Sequence, residues 1–138
     1  MAKTDPGKVP KKDITFVDYG RVSYSNPTRQ WLFEFEDCVD PERPNEGRPK
    51  AQAAADRLNK IVPDMNARGI SLSIPMPGHP VAPALQDKVL EDVKQLEELI
   101  IEADLIFLLT DTRESRWLPT LIAAANSKAL YYTLSSQL

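Results

Sequence analysis

The period of hydrophobic and polar positions changes repeatedly along this chain. Ile14-Thr15-Phe16-Val17 is a β-branched and aromatic run closed by Asp18, which predicts a buried strand. Tyr19 to Pro27 is turn-rich, and the aromatic cluster of Trp31, Leu32, Phe33 and Phe35 is expected to pack as core. Asp40 to Pro49 is a polar loop with three prolines. Ala51, Ala54, Ala55, Leu58, Ile61 and Val62 then recur at helical spacing, with Pro49 suited to the first turn and Pro63 as the stop. Ile70, Leu72 and Ile74 alternate with serines and predict a half-buried strand. Pro75 to Pro83 holds four prolines around Gly78 and His79, an ordered but non-repetitive loop.

Val89, Val93, Leu96 and Ile100 form the seam of a helix from about Leu85 to Ala103, with Glu91, Lys94, Glu97 and Glu98 on its solvated face. Leu105 to Thr110 is a continuous apolar run, which predicts a strand buried on both faces. A helix from Ser115 to Asn126 would turn Leu118, Leu121, Ile122 and Ala125 inward, with Pro119 accommodated in the first turn. Ala129 to Leu134 is a last short strand. Strands and helices therefore alternate, which implies an α/β fold, a parallel sheet with helices on both faces. Met1 to Lys12 has four lysines, two prolines and few apolar residues, and is expected to be a disordered leader to a single domain over 13–138.

Length and charge narrow the function. At 138 residues, with 42% hydrophobic and 27% charged residues, the chain suits one soluble globular domain. A net charge of −3 leaves no basic footprint for nucleic acid. The apolar runs fall far short of the ~20 residues a membrane span needs. A single cysteine, Cys38, cannot form an internal disulfide and points to a reducing compartment, the cytoplasm. There is no Cys-x-x-Cys pair for zinc, and His79 is the only histidine. Twelve prolines stand against five glycines, where average usage gives roughly 7 and roughly 10.

In an open parallel sheet, ligands collect at the carboxyl ends of strands. Two predicted strands end in a carboxylate, at Asp18 and Asp111. One could accept hydrogen bonds from ribose hydroxyls and the other hold Mg²⁺ against phosphates; equally, both could cap turns. Asn26, Arg29, Gln30 and Lys50 lie between them in sequence and could together meet a triphosphate, or simply be solvated.

The stretches ITFVDYGRVSYSNPTRQ, GRPKAQAAADRL, SIPMPGHPV and FLLTDTRESRWLPTLIAAA resemble the ubiquitin-activating-type enzymes, the ThiF-like adenylation superfamily, and within it the autophagy branch. The resemblance covers roughly Asp13 to Lys128. It implies a Rossmann-like fold and ATP-dependent adenylation of the C-terminal glycine of a ubiquitin-like protein, followed by thioester capture and transfer to a conjugating enzyme. The implied partners are the autophagy modifiers of the autophagy-related protein 8 and 12 families and their conjugating enzymes. By motif position, the resemblance implies that Asp18 binds the ribose and that Asn26, Arg29, Gln30 and Lys50 contact ATP phosphates. Asp111 would hold Mg²⁺.

The pattern also breaks. In the family a strand, a G-x-G-x-x-G turn and a helix precede the strand that here begins at Ile14, whereas this stretch holds a single glycine, Gly7. Such a turn wraps phosphate in backbone N–H groups, so ATP binding is expected to be weak. The strands at Ile14 and Leu105 would lose the neighbour they share, and must pair directly, expose edges or seek a partner chain. Cys38, in FEDC, does not match the thioester cysteine, and no activating histidine lies near it in sequence. These features imply an incomplete Rossmann-like domain, a truncated piece of a modifier-activating enzyme that does not catalyse alone. The alternative is a non-catalytic interaction module that associates with the full-length enzyme or its modifier, as a homodimer or a heterodimer with that enzyme. A dinucleotide oxidoreductase, which Asp18 alone would fit, is opposed by the absent glycine fingerprint and by Asn-x-x-Arg-Gln.

Overall fold

A computed structural model describes residues 12–78 and 80–132. Its elements run β1 (Lys12–Val17), α1 (Lys50–Ile61), β2 (Met65–Ile70), α2 (Gln86–Glu102), β3 (Leu105–Leu108), α3 (Arg113–Ala125) and β4 (Ala129–Tyr132), with 3₁₀ turns at Phe35–Cys38 and Pro83–Leu85. β1 pairs with β2 and β3 with β4, both in parallel, forming two two-stranded sheets. Helix-linked parallel strands make this a partial Rossmann-like α/β fold. The chain divides into two compact units between Leu72 and Ser73. His79, the leader up to residue 11 and the end of the last predicted strand lie outside the described residues; Lys12, assigned to the leader, already belongs to β1.

In the first unit an alanine-rich helix meets a strand at very short range. Ala51, Ala54 and Ala55 of α1 are buried, and Ala53 packs with Val22, Cys38 and Phe33. A Cβ on Gly69 of β2 would lie 2.3 Å from the Ala51 backbone, so only glycine permits this approach. That closeness explains why the strand expected over Ile70–Ile74 forms at Met65–Ile70 instead. Its inward positions are Ala67 and Gly69, too small to register as an apolar alternation. Asn59 holds the strand from α1, donating to the Ala67 carbonyl and accepting from its N–H, both at 2.8 Å.

Two further expectations fail in this unit. Ile61 and Val62 are exposed rather than buried, because α1 turns its alanines to its neighbours. Of the aromatic cluster only Phe33 reaches the core, while Trp31 is 95% exposed. The 3₁₀ turn that follows buries Asp37 and Cys38 in their place. Arg48 fixes it, donating to Asp37 at 2.7 Å and to Asp56 of α1 at 2.5 Å. Burial would lower the Arg48 guanidinium, but these two carboxylates hold it above its usual value.

In the second unit Leu96 and Ile100 of α2 are buried on the predicted seam, and Glu91, Lys94, Glu97 and Glu98 face solvent. β3 is shielded on one face rather than two: Leu108 is buried, whereas Leu105, Phe107 and Leu109 are exposed. The Phe107 and Tyr131 rings, paired across β3 and β4, lie 6.0 Å apart on that open face. α3 starts at Arg113, two residues early, because Thr112 caps it by accepting the Ser115 N–H at 3.3 Å. Pro119 is therefore inside the helix and not in its first turn; it is fully buried beside Ile122 and Ala123, while Leu121 and Ala125 point outward. No described helix is long and apolar enough to cross a membrane.

Candidate functional site

Five of the six candidate side chains belong to the first unit. Asp18 directly follows β1, and its N–H donates to the Ile70 carbonyl at 3.2 Å, carrying the parallel ladder one residue further. Its Oδ1 accepts the Gly20 N–H at 2.7 Å, a local side-chain contact that fixes the backbone just beyond the strand. The Gly20 carbonyl in turn accepts the N–H of Lys50, the first residue of α1, at 2.9 Å. A Cβ on Gly20 would lie 3.0 Å from Asp18 Oδ1 and 3.5 Å from Lys50 Cδ. Gly20 is thus a notch with the carboxylate on one side and the lysine stem on the other. Sequence reasoning missed Gly20, although a glycine two residues after a strand-end acid was the available signal.

No side chain caps the N-terminus of α1, and its first turn holds no acidic residue. The helix dipole and the Lys50 charge therefore leave a positive end suited to an anion. Among the described residues, Lys50 makes no ion pair, and the Asp18 carboxylate has no partner beyond Gly20.

Asn26 is 5% exposed and organises a turn. Its Oδ1 accepts the Ser23 N–H at 2.9 Å, and its carbonyl accepts the N–H groups of Arg29 and Gln30 at 2.9 and 2.8 Å. The Arg29 and Gln30 side chains are exposed and make no hydrogen bond or ion pair among the described residues. The segment before this turn is tied to the start of α1 by the bridge of Arg21 with Pro49 and by the Val22 N–H on the Arg48 carbonyl at 2.9 Å. Asn26 has its oxygen committed to the backbone, so its amide nitrogen is what it can offer a ligand.

Asp111 belongs to the second unit, between β3 and α3, where it is exposed. Its carboxylate makes no hydrogen bond or ion pair among the described residues. A single free carboxylate fits Mg²⁺, which is commonly held by one or two carboxylates together with substrate phosphates and water. Among the described residues no group of three or more His, Cys, Asp or Glu side chains converges on a common point.

Cys38 is buried, and burial, followed by the charges of Asp37 and Glu36, pushes its thiol pKa up. At neutral pH it is a protonated, poor nucleophile. A cleft of the first unit, about 490 Å³, contains none of the candidate residues; Glu34, Asp37, Arg48, Asp56, Arg57 and Lys60 line it. Most of its charged groups are already paired, Arg57 with Glu34 and Arg48 with Asp37 and Asp56.

The family model for the ThiF family matches residues 9–137. The sequence is 57% identical over 119 residues to the ubiquitin-like modifier-activating enzyme ATG7 of Mus musculus and to that of Homo sapiens. It is 52% identical over 117 residues to the ATG7 of Candida albicans. Each alignment covers 85% of this chain, but only 16% of the mammalian proteins and 18% of the yeast one.

Proposed function

The chain belongs to the ThiF family, and we propose that it supplies nucleotide-contacting side chains of an ATP-dependent activating enzyme for ubiquitin-like modifiers of autophagy. Residues 13–138 are then part of an adenylation domain acting in the cytoplasm. The observation that carries this reading is the Asp18–Gly20–Lys50 notch at the uncapped start of α1. A carboxylate there suits vicinal ribose hydroxyls, and a lysine beside a helix N-terminus suits phosphate.

In the proposed reaction the modifier's C-terminal carboxylate attacks the α-phosphorus of ATP, an acyl–phosphate bond forms, and pyrophosphate leaves. No protein nucleophile is required; orientation and charge compensation are. Asp18 would orient the ribose, and Lys50 and Arg29 would offset phosphate charge. Gln30 and the Asn26 amide nitrogen would donate to phosphate oxygens. Asp111 would hold Mg²⁺, which when bound offsets charge on the phosphates. No residue of this chain is assigned to the thioester step, and Cys38 is buried and protonated.

The sequence contains no G-x-G-x-x-G turn, so Mg-ATP binds this chain weakly and adenylation does not proceed on it alone. A thermal melt with and without millimolar Mg-ATP tests the reading. A rise in melting temperature that is lost in both D18A and K50A is expected. No rise in the unaltered chain overturns it. ATP–pyrophosphate exchange by the chain with an autophagy modifier should be absent, and robust exchange would refute the claim of inactivity.

A second reading, an interaction module that pairs with a full-length activating enzyme, is favoured by the exposed Leu105, Phe107, Leu109 and Tyr131 of the β3–β4 side. Co-purification with such an enzyme, abolished by F107D, would support it. A monomer indifferent to that enzyme would contradict it.

A further inference from the structure

The chain on either side of Asp111 is fixed, while its carboxylate is left free. On one side, the Thr110 carbonyl accepts two hydrogen bonds from a single guanidinium, from Arg116 Nε at 3.0 Å and Nη2 at 2.8 Å. On the other, Thr112 is tied to Ser115 three times. It accepts the Ser115 N–H at 3.3 Å, its hydroxyl meets Ser115 Oγ at 2.9 Å, and its carbonyl accepts from that Oγ at 2.9 Å. Two clamps thus bracket the one residue between them. The Thr110 hydroxyl is also buried, and it is the only buried side-chain polar atom without a partner among the described residues.

Stability does not account for the choice of Arg116. It lies in the first turns of α3, where the helix dipole disfavours a positive charge. It makes no ion pair among the described residues. Its bidentate fork goes to one neutral carbonyl, six residues back and two residues beyond β3. A planar guanidinium fixes the orientation of that peptide in a way a lysine would not. The peptide so fixed is the one that leads into Asp111.

We propose that Arg116 is a positioning residue for Asp111. By holding the Thr110 peptide it directs the free carboxylate toward a divalent cation. The inference rests on the reading of Asp111 as the metal-holding carboxylate, and the test separates the two.

The probe is Mn²⁺ alone, added substoichiometrically to the full ¹⁵N-labelled chain and followed by paramagnetic broadening of the amide signals of residues 110–113. In the unaltered chain these signals should broaden selectively, and D111N should abolish the effect. R116A should weaken Mn²⁺ occupancy about tenfold, the scale on which groups that orient metal ligands act, while its dispersed spectrum shows an intact fold. R116Q, which keeps the stem and a donor, should weaken it to a smaller extent and remains informative if R116A does not fold. Absence of broadening in the unaltered chain, or its persistence in D111N, overturns the metal reading of Asp111 and the inference with it. Loss in D111N with undiminished broadening in a folded R116A or R116Q overturns the role of Arg116 alone.

Discussion

Gly20 and Lys50 are joined through the backbone, the Lys50 N–H donating to the Gly20 carbonyl at 2.9 Å. The bond sets the first residue of α1 against the segment that leaves β1. Because Gly20 has no Cβ, Asp18 Oδ1 and the Lys50 stem can close over it. G20V would insert methyl groups between them and force one side chain away. The folded chain should survive, with destabilisation of about 1–2 kcal/mol, but the Mg-ATP-dependent rise in melting temperature should disappear.

Gly69 offers a stricter case. A Cβ there would lie 2.3 Å from backbone atoms of Ala51, and backbone cannot rotate aside. G69A should destabilise the first unit by about 3 kcal/mol, measured by urea unfolding with an amide probe in β2. G78A meets no atom within 4 Å and is strained only by a φ of +90°, so its loss should be smaller, about 1 kcal/mol.

Asn59 satisfies both backbone groups of Ala67, itself a buried residue. N59A removes both partners together, and leaving them unmet should reduce stability by about 2 kcal/mol. N59L should not restore the loss, which distinguishes the hydrogen bonds from simple packing. Equilibrium urea unfolding of the two variants checks this.

Asp40 accepts from the Glu42 N–H and from Arg21, and these bonds hold its pKa below the ordinary value of 3.8. Its folded-state pKa is thus lower than its unfolded one. The stabilisation is fully present above the unfolded value and is lost as pH falls through the folded one. The urea midpoint should therefore fall on acidification below about pH 4, and D40N should flatten that part of the profile. An unchanged profile in D40N would contradict the assignment.

Much of this was legible in the sequence where side chains alone decide the outcome. The α2 seam of Val89, Val93, Leu96 and Ile100 follows the helical period, and its inner half is buried as expected. Asp18 was conspicuous as an acid closing a β-branched run. β2 was displaced because its inward residues are Ala67 and Gly69, chosen for closeness to α1 and not for hydrophobicity. Phe107 and Leu109 are exposed because burial of an apolar run depends on which neighbours flank the strand, and the run itself carries no such information. The Arg116 clamp was invisible because it works through a backbone carbonyl, which every residue possesses.

The central claim is that Asp18 recognises the ribose of a nucleotide held beside Lys50. Titration calorimetry of the full chain with Mg-ATP and with its 2′,3′-dideoxy analogue, on the unaltered chain and on D18A, tests it most directly. The unaltered chain should bind ATP about tenfold more tightly than the dideoxy analogue, the scale of hydrogen bonds to a charged acceptor, and D18A should bind both alike. Equal affinity of the unaltered chain for the two nucleotides, or undiminished preference in D18A, would contradict the account.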